Sequence, residues 1–356
     1  MTFFPPVTLS YYHSFIKSSM INTTKDNKKI SNLQLGLRQR RRIGISGLFL
    51  GGFMLFGTLL LYLNGCSSGG NALPFAASSP APQITCTTPP HNTGDSTQTI
   101  SSGGLKRTLL LHLAPSYGRQ PQPLIISYHG YSGNSQLMAG TTGFSQRADQ
   151  DGFIAVYPQG YESPPTWNAG INASVGLPTG SEDDVQFTRD MLNNLEQNYC
   201  IDSHRIYLDG FSLGGGLAYR LACDLSNQIT AIGTASGAYY PLPEGCHPSR
   251  PVPVLEIHGA ADTQAPYNGN PSVGMASVRT YLNTWLALDQ CDTTPNVFLQ
   301  QPDVTGSEWT HCAAGAQIRH YRIADGVHSW PSPSVLNGGQ VMWDFFKQFS
   351  LPSPAS

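Results

Sequence analysis

Three residues able to open an ester carbonyl occur in the chain as Ser212, Asp262 and His328. A serine hydroxyl is a weak nucleophile near neutral pH. It needs an imidazole to take its proton and a carboxylate to fix the imidazole tautomer and stabilise its cation. Ser212 lies in the frame Gly210-Phe211-Ser212-Leu213-Gly214, behind the apolar run Ile206, Tyr207 and Leu208 and ahead of a helical pattern that begins at Leu213. Glycines on both sides allow a strand to reverse sharply into a helix, leaving the hydroxyl at a helix N-terminus. Asp262 follows the apolar run Val252 to Ile257, and His328 follows the run ending at Ile323, so both are expected on loops after strands. The rival acid Asp325 precedes His328 by only three residues. Of the other histidines, His129 and His258 fall at strand ends, His320 within a strand, and His311 beside Cys312.

An oxyanion formed at Ser212 needs N–H donors aimed at it. The backbone of Leu213 supplies one, and the loop His129-Gly130-Tyr131-Ser132-Gly133 supplies the other, assigned to Tyr131. Trp167, in the long loop after Tyr157, is expected to form an aromatic wall for substrate. HExxH and zinc-ligand spacings are absent from the sequence, so no metal or cofactor is expected.

The elements that must position these residues alternate. Strands are expected at 105–113, 124–128, 153–157, 206–208, 229–234, 252–257 and 317–323. Helices are expected from Ser181, which opens a capping-box pattern, from Leu213, over 278–287 and over 336–349. Alternation of this kind encodes a mostly parallel sheet with helices on both faces, and its reactive residues gather beyond the carboxyl ends of the strands. The chain order Ser, Asp, His is that of the α/β-hydrolase fold.

The 356-residue chain has a formal charge of −2, which gives no global basic field, so nucleic acid is not an expected partner. The dense basic run Arg38, Arg40, Arg41 and Arg42 precedes the uncharged apolar segment 43–63, which is read as a signal or membrane anchor. Leu63-Asn64-Gly65-Cys66 resembles a bacterial lipobox, with Cys66 the residue to be lipidated. The expected organisation is an N-terminal extension over 1–66, a flexible Ser/Gly/Pro/Thr-rich tether over 67–104, and a catalytic domain over 105–350 outside the cytoplasm. A monomer is expected. Cys86, Cys200, Cys223, Cys246, Cys291 and Cys312 are an even set suited to an oxidising compartment, although six cysteines allow about 15 connectivities. Cys291 with Cys312 flank one short stretch in which a single strand is expected, Cys223 and Cys246 fall at one edge of the sheet, and Cys86 with Cys200 follows by elimination.

The runs HGYSGN, WNAG, EDDVQFTRDMLNN, CIDSHRIYLDGFSLGGGLAYRLAC, RPVPVLEIHGAADTQAPYNG, DGVHSWP and VMWDFF together resemble the extracellular polyhydroxybutyrate depolymerase and feruloyl esterase group of α/β-hydrolases, over about Leu105 to Phe349. The resemblance implies an exported serine esterase acting on polymer-linked esters, with Ser212, Asp262 and His328 on the triad motifs and Tyr131 on the oxyanion loop. Feruloyl esters of plant polysaccharide are the first expectation and a polyester the second. A surface-tethered binding protein without activity is the third. The paired cysteines that many members carry after WNAG are replaced here by Ile171-Asn172-Ala173-Ser174.

Overall fold

The computed structural model describes residue 86 and residues 91–352. The anchor segment, Cys66 and most of the tether therefore lie outside the described residues. Ten strands form one sheet in the order β1-β2-β4-β3-β7-β8-β9-β12-β11-β10. They are β1 (Gly94–Ser102), β2 (Leu105–Leu113), β3 (Gln122–Tyr128), β4 (Ile154–Pro158), β7 (Ile201–Phe211), β8 (Ala231–Ala235), β9 (Val254–Gly259), β10 (Asn296–Gln300), β11 (Val304–Trp309) and β12 (Ile318–Ile323). The central strands β4, β3, β7, β8, β9 and β12 run parallel, and antiparallel strands close both edges. A two-residue ribbon, β5 (Ile171–Asn172) with β6 (Leu177–Pro178), stands apart from the sheet.

Because strand side chains alternate faces, the buried strands feed two cores. Leu124, Ile126, Ile206 and Leu208 pack with α3 (Asp184–Asn198), α4 (Leu213–Asp224) and α5 (Val278–Leu288). Ile125, Tyr207 and Leu255 pack with α1 (Ser135–Thr142), α2 (Phe144–Asp151) and α6 (Gly338–Phe346) on the other face. The chain thus forms the doubly covered, mostly parallel sheet expected from its segment order.

The structure departs from the sequence reading in three places. Gly94–Ser102, assigned to the tether, is the edge strand β1, paired along its length with β2 across Gly103-Gly104. It lacks an apolar alternation because most of its side chains are exposed or half-buried, and backbone pairing holds it. Both turn glycines have positive φ, +57° and +81°, which is the backbone that a two-residue hairpin turn requires. The stretch between Cys291 and Cys312 carries two strands rather than one. The cap of α3 is Asp183, whose carboxylate accepts from Gln186 N at 2.9 Å, while the Ser181 hydroxyl donates to Glu162 instead.

Three disulfides join Cys86 to Cys200, Cys223 to Cys246 and Cys291 to Cys312. The first ties residue 86 to the start of β7, the second ties the end of α4 to the loop before β9, and the third closes the base of the β10–β11 hairpin. Among the described residues no helix is long and apolar enough to cross a membrane.

The cap assignment can be tested by mutation. Asp183→Ala should lower unfolding free energy by about 1 kcal/mol in urea titration, whereas Ser181→Ala should leave the helix cap intact. Equal losses in the two variants would contradict it.

Candidate active site

Ser212 stands between β7 and α4 with φ +55° and ψ −121°, a backbone conformation costly for a residue with a side chain. Its own hydrogen bonds hold it there. Ser212 N–H donates to Ala235 O at 3.0 Å, and its carbonyl accepts from Gly216 N at 3.1 Å and Ala238 N at 2.9 Å. The reversal also requires backbones to touch. A Cβ on Gly214 would fall on the carbonyl oxygens of Tyr128 and His129, and one on Gly210 would fall on the carbonyl of Gly214.

The Asp262 and His328 loops meet in a similar way. Gly259 lies against Gly326 so closely that a Cβ on Gly259 would strike the Gly326 carbonyl. Ala261 N–H donates to Gly326 O at 2.9 Å, and Ala260 N–H donates to Ile323 O at 2.8 Å. These contacts bring His328 Nε2 to 2.9 Å from Ser212 Oγ and His328 Nδ1 to 2.7 Å from Asp262 Oδ2. Asp262 Oδ1 accepts from the N–H groups of Gln264 and Ala265, each at 2.9 Å. Burial alone would raise the Asp262 carboxyl. Hydrogen bonds from His258 and His328, with the field of His328, hold it well below the usual carboxylate range. Asp325 is exposed and makes no hydrogen bond to His328.

A cavity of about 380 Å³ opens above Ser212 and is lined among others by Tyr131, Leu213, Pro178, Tyr240, Gln264 and Met275. The backbone N–H groups of Tyr131 and Leu213 have no acceptor among the described residues, whereas Ser132 N–H is used by Pro165 O and Gly133 N–H by Gly130 O. The side chains of Tyr131, Val175 and Leu177 are each about 60 % exposed. Tyr131 and Val175 also line the cavity.

Trp167 is not in that wall. It is fully buried, its ring packs against Tyr128 and His129, and its Nε1–H donates to His129 O at 2.7 Å. The expectation of a substrate contact fails because an indole in a loop that crosses the sheet gains more from covering the β3 end than from facing water. Asn168 continues this anchor. Its N–H donates to Asp184 Oδ2 at 2.7 Å, and Arg220 Nη1 donates to its Oδ1 at 2.6 Å. Arg107 completes the cluster, donating to Asp184 Oδ1 at 2.8 Å with its guanidinium 3.8 Å from the Phe187 ring centre. His129 serves the same loop, since Nδ1–H donates to Gly130 O at 2.7 Å and Nε2 accepts from Gly160 N at 2.9 Å. Burial lowers its basicity, in keeping with a neutral ring.

Two buried features escaped the sequence reading. Asp209, two residues before the elbow glycine-flanked serine's neighbour Phe211, lies beneath the turn, and Ser127 Oγ donates to its Oδ2 at 2.6 Å. The other is a layer behind Asp262 formed by Glu256, His258 and His320. Its sequence signal is Glu256 and His258 at alternate positions of the otherwise apolar strand run VLEIHG. Among the described residues no group of three or more His, Cys, Asp or Glu side chains is disposed to hold a metal ion.

A family model described as Phospholipase/Carboxylesterase matches residues 115–285. A bifunctional acetylxylan esterase/xylanase of Neocallimastix patriciarum is 29 % identical over 245 residues, covering 68 % of this chain and 33 % of that protein. Feruloyl esterase B of Piromyces equi is 29 % identical over 247 residues, covering 66 % of this chain and 44 % of that protein. The chain therefore spans less than half the length of these relatives. An acetyl xylan esterase structure from Aspergillus awamori superposes with a TM-score of 0.53 at 14 % identity, over 71 % of this chain and 99 % of that one, which places the two in one fold.

Burial moves the Asp209 carboxyl from its ordinary 3.8 up to about 8, with the Ser127 and Gly210 hydrogen bonds offsetting only part of the shift. Between those values the folded state holds a proton that the unfolded chain has lost. The stability present below pH 3.8 is thus lost as pH rises toward 8. Asp209→Asn, a neutral isostere, should gain in thermal midpoint over wild type progressively across that interval. A constant difference between the two proteins would refute the assignment.

Proposed function

Starting from a chain with the α/β-hydrolase fold, we propose an exported serine carboxylic ester hydrolase that acts through an acyl-enzyme, with feruloyl esters of plant cell-wall polysaccharide as substrate. The reading is carried by one observation: the unbroken hydrogen-bonded line from Asp262 through His328 to Ser212, which opens on a cavity lined by Tyr131 and Leu213, whose backbone N–H groups have no acceptor among the described residues.

Each residue has a role in that reaction. His328 Nε2 takes the Ser212 proton as Oγ attacks the ester carbonyl, and Asp262 holds Nδ1 and stabilises the cation. The N–H groups of Leu213 and Tyr131 receive the tetrahedral oxyanion. His328 then protonates the departing alcohol, and water activated by the same ring releases the acid. Trp167 acts behind the surface by holding the His129 carbonyl, and with it the start of the oxyanion loop.

The substrate class is supported by the relatives, whose names include an acetylxylan esterase and a feruloyl esterase. Export is supported by three disulfides in one domain and by the apolar segment with Cys66 as its lipidation site. The domain organisation that follows is an anchor, a tether ending before Gly94, and one catalytic domain. A second reading, a polyester depolymerase acting on hydroxybutyrate oligomers, is favoured by the exposed apolar rim of Tyr131, Val175 and Leu177.

The full chain should release ferulate from methyl ferulate and feruloylated arabinoxylan, and Ser212→Ala should lower kcat by about 10⁴-fold or more. Hydrolysis of hydroxybutyrate oligomers without ferulate release would transfer the assignment to the second reading. Activity that survives Ser212→Ala would remove both.

A further inference from the structure

Behind the catalytic carboxylate lies a second polar layer that the acyl-transfer steps above do not use. Glu256 and His258 project from the same face of β9, and His320 stands opposite Glu256 on the neighbouring strand β12. All three are buried, Glu256 and His258 almost completely. His258 Nδ1 is 2.7 Å from Glu256 Oε1. His258 Nε2 is 2.8 Å from the Ala265 carbonyl oxygen and 3.5 Å from Asp262 Oδ2.

These partners decide the charge of the ring. A neutral imidazole has one N–H, so its other nitrogen presents a lone pair. Neither a carbonyl oxygen nor an ionised carboxylate can satisfy that lone pair, and the two ring nitrogens face the Ala265 carbonyl and the Glu256 carboxyl, whose oxygens are ringed by the Tyr239 hydroxyl and the two imidazoles as a carboxylate's would be. We infer that His258 is a buried imidazolium that donates through both nitrogens and acts as a positioning residue for Asp262. The inference rests on the acyl-transfer reading of Ser212, His328 and Asp262.

Glu256 is the counter-charge. Its Oε1 faces His258, and His320 Nδ1 lies 2.6 Å from Oε2 and 3.3 Å from the Glu256 main-chain carbonyl. His320 Nε2 lies 2.8 Å from the Tyr267 hydroxyl, and Tyr239 donates to Glu256 Oε1 at 3.3 Å from the other side. From α5 the Tyr281 ring stacks on Tyr239. Glu256 carries a negative charge and His258 a positive one, so the pair is neutral as a whole with its positive end toward Asp262. Burial opposes the charge on both, yet the neighbouring His258 and His320 rings hold the Glu256 carboxyl below its usual range, and Glu256, with the hydrogen bonds around the ring, holds His258 above its usual value.

The consequence for the reaction is electrostatic. Asp262 Oδ2 is shared between His328 at 2.7 Å and the His258 cation at 3.5 Å. The inner cation keeps Asp262 ionised although its side chain is buried, and it tempers the pull of Asp262 on a proton at His328. With the inner cation removed, the full carboxylate charge acts on His328 and its protonated form gains stability. The acid limb of kcat/KM must then move to higher pH.

The decisive variants are His258→Gln and the double variant His258→Gln/Glu256→Gln, both in the full chain. The double variant removes cation and anion together and leaves no unpaired buried charge, so it should fold even if the single variant is too unstable to assay. With p-nitrophenyl acetate the acid limb of kcat/KM should rise by about one pH unit or more relative to wild type, with KM little changed. A loss of thermal stability with the acid limb unmoved would overturn the inference, since that is the signature of a packing role alone. An independent readout is the histidine side-chain ¹H–¹⁵N spectrum of the wild-type protein at pH 8, where the signals absent from the His258→Gln variants should show both nitrogens protonated. A single protonated nitrogen would also overturn it. A wild-type protein inactive on every ester would instead remove the acyl-transfer reading and leave the spectroscopic result unaffected.

Discussion

The close approach of main chain to main chain at the carboxyl ends of the central strands is the constraint from which the site follows. Gly214 rests on the carbonyls that end β3, and Gly259 rests on Gly326 where the β9 and β12 loops meet. A side chain at either position would push apart elements that must touch, because a Cβ cannot share space with a carbonyl oxygen. With these contacts closed, Ser212 is held at φ +55° by backbone hydrogen bonds on both sides of the turn, and its hydroxyl lies within reach of His328. The strain at Ser212 is offset by the surrounding sheet, in which β7 and β8 are buried at the point of reversal.

Charge is arranged around this geometry in layers. The underside of the elbow is neutral, because Asp209 is buried with a carboxyl that keeps its proton until about pH 8. The far side of Asp262 carries a cation and an anion that compensate each other. The Trp167–Asn168 loop, which bonds the start of the loop that presents Tyr131, is held by a third cluster, Arg107, Asp184, Asn168 and Arg220, in which buried charge is matched by a partner of opposite sign or by a hydrogen bond. A buried ionic group seldom adds stability over an apolar replacement, but removing one partner leaves an uncompensated charge at high cost. These clusters therefore specify a single loop arrangement more than they strengthen the domain.

Much of this architecture was legible in the residues. The central strands are written as apolar runs, and the order Ser212, Asp262, His328 falls on the loops that follow them. The structure brings those three side chains together, joins the six cysteines in the three expected pairs, and places Tyr131 and Leu213, whose N–H groups have no acceptor among the described residues, along one cavity. What was not legible has physical causes. The edge strand β1 is held by backbone pairing, so its side chains carry no apolar signal. The α3 cap passed from Ser181 to Asp183 because the Ser181 hydroxyl had a competing partner in Glu162. Trp167 is ambiguous in the sequence because its residue type fits both a wall and a wedge, and only the position of the His129 carbonyl decides between them. The Glu256–His258–His320 layer depends on the lateral register of β9 and β12, which adjacent residues along the chain do not encode.

The central claim is that Ser212 is a nucleophile made reactive by His328. The most direct measurement is the site and rate of covalent labelling of the folded full chain by a fluorophosphonate, located by peptide mass spectrometry. Stoichiometric modification confined to Ser212, and slowed by at least two orders of magnitude in His328→Ala, is the expected result, the imidazole's general-base contribution being about 10²–10⁴-fold. Labelling spread over other serines, or a Ser212 rate indifferent to loss of the imidazole, would contradict the account.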